Sequence, residues 1–282
     1  TREGMPQSTR LGVVPVHGTL VNRGAWMGAE SGLTSYDGTR RFVGLYDDDP
    51  SIDAVVFDFD SPGGDAAGCA DLANDIAAIT KPTYALVNAE CNSAAYWLAS
   101  HCDKIYITRD ALVGSVGAVA AHLDQSRRDE QQGDHWTLVT SGRLKAQFSS
   151  HSPLSEEANA FLQDMITDVA DRFIQAVATQ RGLSVDTVRD WQAAIFKAPD
   201  ALQAGLIDVI APASQAFALI SEEVSTMTQS THSGQPAAAA STEIQSQASD
   251  TTPATTAQDT PAETPATAPQ ASAAPAQNPD IQ

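Results

Sequence analysis

Apolar runs alternate with amphipathic segments along most of the chain. Residues 52–59 are a continuous β-branched and aromatic run, typical of a central parallel strand that is buried on both faces. Similar shorter runs predict strands at 11–16, 83–87, 104–108 and 137–140. Helical spacing of apolar residues predicts helices at 36–46, 70–79, 93–100, 155–180 and 185–193, with a helix and a short strand in 201–210. The Gly-rich segment 22–34 is predicted to be a loop.

This order of elements predicts the fold class. Strand, crossover helix and strand in repetition indicate an α/β domain with a mainly parallel sheet and flanking helices. We assign residues 11–224 to that single domain and residues 1–10 to an N-terminal arm. Residues 225–282 are rich in Ala, Pro, Thr and Ser and contain no aromatic residue, Lys or Arg. Such a segment cannot bury enough apolar surface to offset chain entropy, so we predict a disordered tail.

Charge and composition exclude several kinds of partner. The formal net charge is -19, and only five of the acidic residues lie in the predicted tail. An acidic domain argues against binding to nucleic acid or to an anionic membrane surface. No run of apolar residues is long enough for a transmembrane helix, so we expect no membrane segment in this chain. Three cysteines without metal-ligand spacing favour a reducing compartment and predict no metal or organic cofactor.

A Ser-Pro-Gly-Gly motif at 61–64 comes directly after the predicted central strand. Glycines allow a substrate to approach the backbone closely and expose its N–H groups, because no Cβ is in the way. The motif is therefore either an oxyanion hole or a plain turn between a strand and a helix.

Ser93 follows the next predicted strand and begins a helix. A serine in this position is either an ordinary N-cap or a nucleophile. Ala94 and Ala95 behind it are small enough to leave room for a substrate carbonyl, and the Ala94 N–H group is a candidate donor to it.

A serine nucleophile needs a base. A Ser-His-Asp triad stays open, because triads are defined by geometry and the domain contains five histidines: His17, His101, His122, His135 and His151. Among four lysines, Lys145 is the best candidate, because it follows a predicted strand and lies among apolar and small residues. A lysine acts as a base only when neutral, so this interpretation expects a desolvated amine.

Four motifs in this order closely resemble one protease family. They are Ser-Pro-Gly-Gly at 61–64, Ser-Ala-Ala-Tyr at 93–96, Gly-Ser-Val-Gly at 114–117 and Ser-Gly-x-x-Lys at 141–145. The family is the signal peptide peptidase A family of serine proteases (S49), and the closer likeness is to its phage branch of capsid-maturation proteases. The resemblance implies a crotonase- or Clp-protease-like fold and a Ser–Lys dyad of Ser93 and Lys145. It further implies an oxyanion hole at Gly63 and Gly64, assembly into homo-oligomeric rings, and a dyad that is completed within or between subunits.

We therefore expect a serine endopeptidase that processes phage head and scaffold proteins, in the host cytoplasm within the assembling procapsid, with a tail linked to scaffolding. Two departures bear on substrate fit: Ala94-Ala95 where membrane-bound members have Gly-Gly, and Ala146 after the base. The alternatives are a bacterial peptidase of the same family that degrades signal peptides, and a non-catalytic scaffold protein. A coenzyme-A-using crotonase enzyme fits the implied fold but gives no reason for the Ser/Lys pair.

Overall fold

The computed structural model describes residues 9–24 and 32–232. Its strands are β1 Leu11–Val21, β2 Leu33–Ser35, β3 Ala54–Gly64, β4 Thr83–Asn92, β5 Lys104–Ile107, β6 Leu112–Gly114, β7 Ile195–Lys197 and β8 Val209–Ile210. Its helices are α1 Tyr36–Asp48, α2 Cys69–Ala77, α3 Ala94–Ala99, α4 Ser126–Gln132, α5 Glu156–Arg181, α6 Val185–Asp190, α7 Ala198–Gln203 and α8 Ala213–His232.

The strands form one sheet in the order β2-β1-β3-β4-β5-β8, and every pairing along this path is parallel. Strand β6 extends the sheet by pairing in parallel with the end of β4, and β7 pairs antiparallel with β6. The predicted α/β class with a mainly parallel sheet is confirmed. Carboxyl ends of parallel strands meet at one edge, so the segments that follow β3, β4 and β6 lie close together.

Each face of the sheet buries its own apolar cluster. Val55, Phe57 and Phe59 of β3 face the larger cluster, which includes residues of α1, α2, α3 and α5. Alternate residues such as Val56 of β3 face a second cluster, which α8 covers. Burial on both faces explains the continuous apolar run in β3.

Helix α8 was not predicted from the sequence, and it crosses the predicted start of the tail at residue 225. It covers the second face with Ala216, Ile220 and Val224. On the same face the Lys104 amine lies 2.7 Å from Glu223, also in α8. The helix therefore continues past the predicted domain boundary at 224 as far as His232. Residues 1–8 of the predicted arm and 233–282 of the predicted tail lie outside the described residues.

Several predicted bounds differ from the structure. Strands β1, β3 and β4 continue beyond the predicted ends, because parallel backbone pairing extends through polar and Gly-rich sequence, with a register shift in each pairing. The predicted strand at 137–140 is wrong: these residues are irregular and exposed. The predicted helix 185–193 ends at Asp190, because Gln192 and Ala193 have left-handed φ values of 49° and 57°. Part of the predicted loop 22–34 is strand β2, while residues 25–31 lie outside the described residues.

One negative result bears on the membrane question. Within residues 9–24 and 32–232, no helix combines the length and the apolar character that crossing a bilayer requires.

Candidate active site

Ser93 has a strained backbone at the junction of β4 and α3. Its φ is 52° and its ψ is -126°, and its side chain makes no capping hydrogen bond to the helix. A non-glycine residue in such a conformation costs about 1–3 kcal/mol and persists only where its surroundings fix it. An N-cap serine normally has extended backbone and accepts a hydrogen bond from the helix, so the N-cap interpretation does not describe Ser93.

The surroundings that fix Ser93 come from the two neighbouring strand ends. Its N–H group donates to the carbonyl of Gly114 at 2.9 Å, at the end of β6. On the other side lies Gly63, near the end of β3. A Cβ on Gly63 would lie 2.7 Å from the Cβ of Ser93 and 2.8 Å from the Asn92 carbonyl oxygen. Only a residue without a side chain permits this approach, and the φ of 102° at Gly63 also favours glycine.

The second glycine of the motif serves a different contact. A Cβ on Gly64 would lie 2.0 Å from the carbonyl oxygen of Leu20 in β1. Gly63 therefore packs on the segment that carries Ser93, whereas Gly64 packs on the neighbouring strand. The Gly63 N–H group is held by the Oγ of Ser61 at 3.1 Å, and that hydroxyl donates to the Gly18 carbonyl at 2.6 Å. The sequence motif includes Ser61 but assigns it no role, because that role arises from the irregular pairing of β1 with β3.

Helix α3 is a rigid support for Ser93. All six of its residues are buried. The Tyr96 hydroxyl donates to the Leu206 carbonyl at 2.8 Å, and Trp97 stacks on Phe173 of α5 with ring centroids 4.6 Å apart. The Ala94 N–H group lies in the first turn, where a helix has no internal acceptor for it. Its nitrogen also lies 3.0 Å from the position that a Cβ on Gly63 would occupy, so this amide borders the region between the two segments.

A turn near β7 braces the segment 114–117. The Ser115 N–H group donates to the Ala194 carbonyl at 2.9 Å, and Ser115 itself has a φ of 55°. A Cβ on Gly114 would lie 2.6 Å from the same carbonyl oxygen. Contacts with Ala194 thus fix the position of the Gly114 carbonyl, which accepts the hydrogen bond from the Ser93 amide.

Cys91, two residues before Ser93, is not a competing nucleophile. The thiol is buried, and this burial raises its pKa well above the usual value. A thiol must ionise to react, so Cys91 behaves as a small apolar residue of the core.

Lys145 lies apart from this assembly of strand ends. It is exposed in a series of turns, and its N–H group donates to the Gly142 carbonyl at 3.0 Å. Within the described part of the chain, its amine makes no hydrogen bond or ion pair, and neither does the Ser93 hydroxyl. The expected burial of Lys145 is wrong for the single chain, because the predicted strand before it does not form. The structure brings together Ser93, Ala94, Gly63 and Gly64, but does not bring Lys145 into contact with them.

The histidines lie in other settings. His17 pairs with Asp58 and His151 with Asp129, whereas His101 and His122 bond to backbone carbonyls. His135 is exposed. Across residues 9–24 and 32–232 none of them is hydrogen-bonded to Ser93, so the single chain gives no support to a Ser-His-Asp triad.

Comparisons with known proteins identify a family. The family described as "Peptidase family S49" matches residues 76–226. "Capsid assembly protease C" of Escherichia phage lambda is 33% identical over 277 residues, which is 94% of this chain and 62% of that protein. "Head-tail preconnector protein GP5" of Enterobacteria phage P21 is 36% identical, over 74% of this chain and 42% of that protein. "Protease 4" of Haemophilus influenzae is 28% identical over 73% of this chain and 34% of its own length.

The chain therefore spans about two fifths to three fifths of the two phage relatives that it matches. Among solved structures, the membrane-bound stomatin-specific protease 1510-N superposes with a TM-score of 0.51 at 15% identity. The match covers 74% of this chain and 84% of that one, and it supports the fold alone. The family match extends over more than half of the chain and includes Ser93 and Lys145, and this chain belongs to peptidase family S49.

Proposed function

We propose that this protein is a serine endopeptidase with Ser93 as nucleophile and Lys145 as base. The observation that carries the proposal is the strained backbone of Ser93, which Gly63 and the Gly114 carbonyl hold between two strand ends. Strain of this kind concentrates at active sites, where it presents a side chain to substrate. Membership of a peptidase family supports the same chemistry.

In the proposed reaction, the neutral amine of Lys145 takes the proton of the Ser93 hydroxyl while Oγ bonds to the substrate carbonyl carbon. The Ala94 N–H group stabilises the oxyanion beside the glycine pair, and the Gly63 N–H group joins it by exchanging its bond to the Oγ of Ser61. The C–N bond then breaks, and the lysine ammonium returns the proton to the leaving amine. Water hydrolyses the resulting ester by the reverse sequence, which releases a carboxylic acid and restores Ser93.

The lysine of this dyad comes from a neighbouring subunit in our proposal. Lys145 is exposed in the single chain, whereas a lysine base must be desolvated. Large apolar side chains are exposed around it, which indicates a surface that another protein covers. They are Trp136, Leu138, Val139, Leu144 and Phe148. A second copy on this surface would bury the amine, and repetition of such a contact builds a ring.

The substrates are phage head and scaffold proteins in this proposal, and the protein acts within a procapsid in the host cytoplasm. Two phage proteins, a capsid assembly protease and a head-tail preconnector protein, match the chain at 33% and 36% identity. The bacterial Protease 4 matches at a lower identity of 28%, which favours the phage role. The segment beyond residue 232 retains its proposed role as a scaffold-linked extension.

Two single variants test the dyad. Ser93→Ala and Lys145→Ala should each abolish cleavage of casein and of co-expressed head and scaffold proteins, as followed by gel electrophoresis and mass spectrometry. Undiminished cleavage by either variant ends the assignment. A natural chain that cleaves none of these substrates would instead revive the non-catalytic alternative.

Mixed oligomers test whether a neighbouring subunit supplies Lys145. When the two inactive variants are co-expressed, an intact Ser93 of one subunit can meet an intact Lys145 of the next, so part of the activity should return. A mixture that stays inactive, although it assembles like the natural protein, would place both groups of the dyad within one subunit.

A further inference from the structure

The segment that carries Lys145 leaves and returns to the domain at one place. Residues 134–150, the Lys145 loop, connect α4 to the start of α5 without a helix or strand. The N–H group of Gln125, the residue before α4, donates to the Ser150 carbonyl at 2.7 Å. This bond holds the end of the loop at the start of α4, and the Asp134 N–H group, which donates to the Asp129 carbonyl at 2.9 Å, holds its beginning on the same helix.

A carboxylate–imidazole pair closes this junction. Nδ1 of His151 lies 2.8 Å from Oδ2 of Asp129, and the two side chains are 25% and 12% exposed. A carboxylate so poorly hydrated needs its partner, because an unpaired group would retain the cost of desolvation. The pair thus fixes the end of the Lys145 loop to the middle of α4.

Trp136 fixes the beginning of the loop to the same imidazole. Its ring stacks on that of His151, with centroids 3.9 Å apart and an angle of 17° between the planes. Asp129, Trp136 and His151 together form what we call the loop clamp. One histidine thereby holds both ends of the loop, with a hydrogen bond on one side of the junction and a ring contact on the other.

Lys145 lies between the clamp and a second attachment on α5. Arg143 pairs with Glu157, and Phe148 contacts Phe161 with ring centroids 5.9 Å apart. These contacts hold the outer part of the loop on α5, on either side of Lys145, while the clamp holds its base.

We propose that the loop clamp positions Lys145 for proton transfer, with Asp129 and Trp136 acting through His151. This inference rests on the proposed role of Lys145 as base. A displacement of about 1 Å at a reacting group can lower a rate ~10²-fold, so a loosened loop should slow the chemical step. Substrate contacts with Ser93 and the strand ends should be unaffected, because the clamp does not contact them.

The clamp is separate from the packing that stabilises the domain. Neither apolar cluster contains a fully buried member between Val116 and Phe173. Loss of the clamp should therefore loosen the loop without unfolding the protein. This separation allows a positioning effect to be distinguished from a general loss of stability.

The test uses the full chain with Asp129→Leu and Trp136→Ala as disrupting variants. Asp129→Asn is the conservative variant, since its amide oxygen can still accept from the imidazole, and His135→Ala is the control at an exposed histidine beside Trp136. The disrupting variants should lower kcat about ten- to hundredfold and leave KM nearly unchanged. Asp129→Asn and His135→Ala should retain kcat. All variants should have the same melting temperature as the natural protein.

The rate of trypsin cleavage measures opening of the Lys145 loop directly, because Arg143 and Lys145 are trypsin sites within it. This assay uses an inactive Ser93→Ala background. Both disrupting changes should accelerate cut formation there roughly tenfold, as expected when a contact of hydrogen-bond strength is lost from a local opening equilibrium. Faster proteolysis with unchanged kcat, or no change in either, would overturn the positioning role.

Lys145→Ala in the peptidase assay separates the clamp proposal from the dyad proposal. If it is inactive while Asp129→Leu is fully active, the clamp proposal fails and the dyad stands. If Lys145→Ala retains activity, the dyad fails first, and the role of the clamp in positioning its base fails with it.

Discussion

At the residue scale, the site is built from backbone contacts that leave no space for side chains. Gly63 and Gly114 each lie against a neighbouring carbonyl or Cβ at distances that exclude a Cβ of their own. Ser93 takes the left-handed conformation that these contacts impose. The hydroxyl is therefore presented by steric fit with its neighbours, and its geometry should depend on single methyl groups.

Replacement of Gly63 by alanine tests this dependence. The added Cβ would lie 2.7 Å from the Cβ of Ser93, and the φ of 102° is unfavourable for alanine. The Ser93 loop must move, so kcat/KM should fall ~10²-fold or more. Gly44→Ala, on the open face of α1, is the matched control and should be neutral, since nothing lies within 4 Å of the added Cβ. A fully active Gly63→Ala protein would show that the Ser93 loop tolerates displacement.

At the scale of elements, α3 joins the site to the rest of the core. It is buried on all sides, and its Trp97 stacks on α5. His101 lies just beyond its end, buried, with Nδ1 at 2.9 Å from the Trp97 carbonyl. Stability of this helix is thus linked to the protonation state of one imidazole.

The linkage predicts a loss of stability in mild acid. Burial lowers the pKa of His101 below its ordinary value, although the hydrogen bond to Trp97 opposes part of this shift. The unfolded chain binds the proton first as pH falls below about 6.5, so the folded state loses stability from there down to the depressed pKa. Urea unfolding between pH 7.5 and 5 should show a lower midpoint in acid. His101→Gln should remove part of this dependence, whereas His135→Gln should keep it, and equal slopes for both variants would refute the assignment.

At the scale of the whole molecule, five of the large apolar side chains that are exposed in the described residues lie in the Lys145 loop. Val139 is 93% exposed, in the segment that the sequence predicted to be a strand. Its β-branched and apolar character has no partner surface within the described chain. In an assembly, the same residues would lie against a neighbouring subunit, and this contact would desolvate the lysine amine.

Val139→Asp tests the assembly. A charge on this surface should dissociate the oligomer and abolish cleavage, while the free energy of unfolding of the subunit stays within about 0.5 kcal/mol. Leu45→Asp, at an exposed apolar residue of α1 outside the Lys145 loop, is the control and should assemble normally. Sedimentation velocity and a peptidase assay measure both effects. An intact, active Val139→Asp oligomer would exclude this surface as the interface.

The sequence predicted the parts of the fold that local pattern encodes. The apolar run in β3 identified a strand buried on both faces, and Ser155 with the acidic turn after it identified the start of α5. Helix α8 escaped prediction because it lies at the boundary with a low-complexity segment. The extensions of β3 and β4 escaped it because backbone pairing, rather than apolar side chains, maintains them.

The order of the motifs in the sequence was sufficient to nominate Ser93, Gly63, Gly64 and Lys145, since the family pattern is carried by residue type and spacing. Tertiary structure alone decided that Ser93 is strained rather than an N-cap, and that Ser61 holds the Gly63 amide. It also decided that Lys145 is exposed in one chain. These features depend on contacts between segments distant in sequence, where distances of a few tenths of an ångström decide the outcome, and no local pattern of residues specifies such distances.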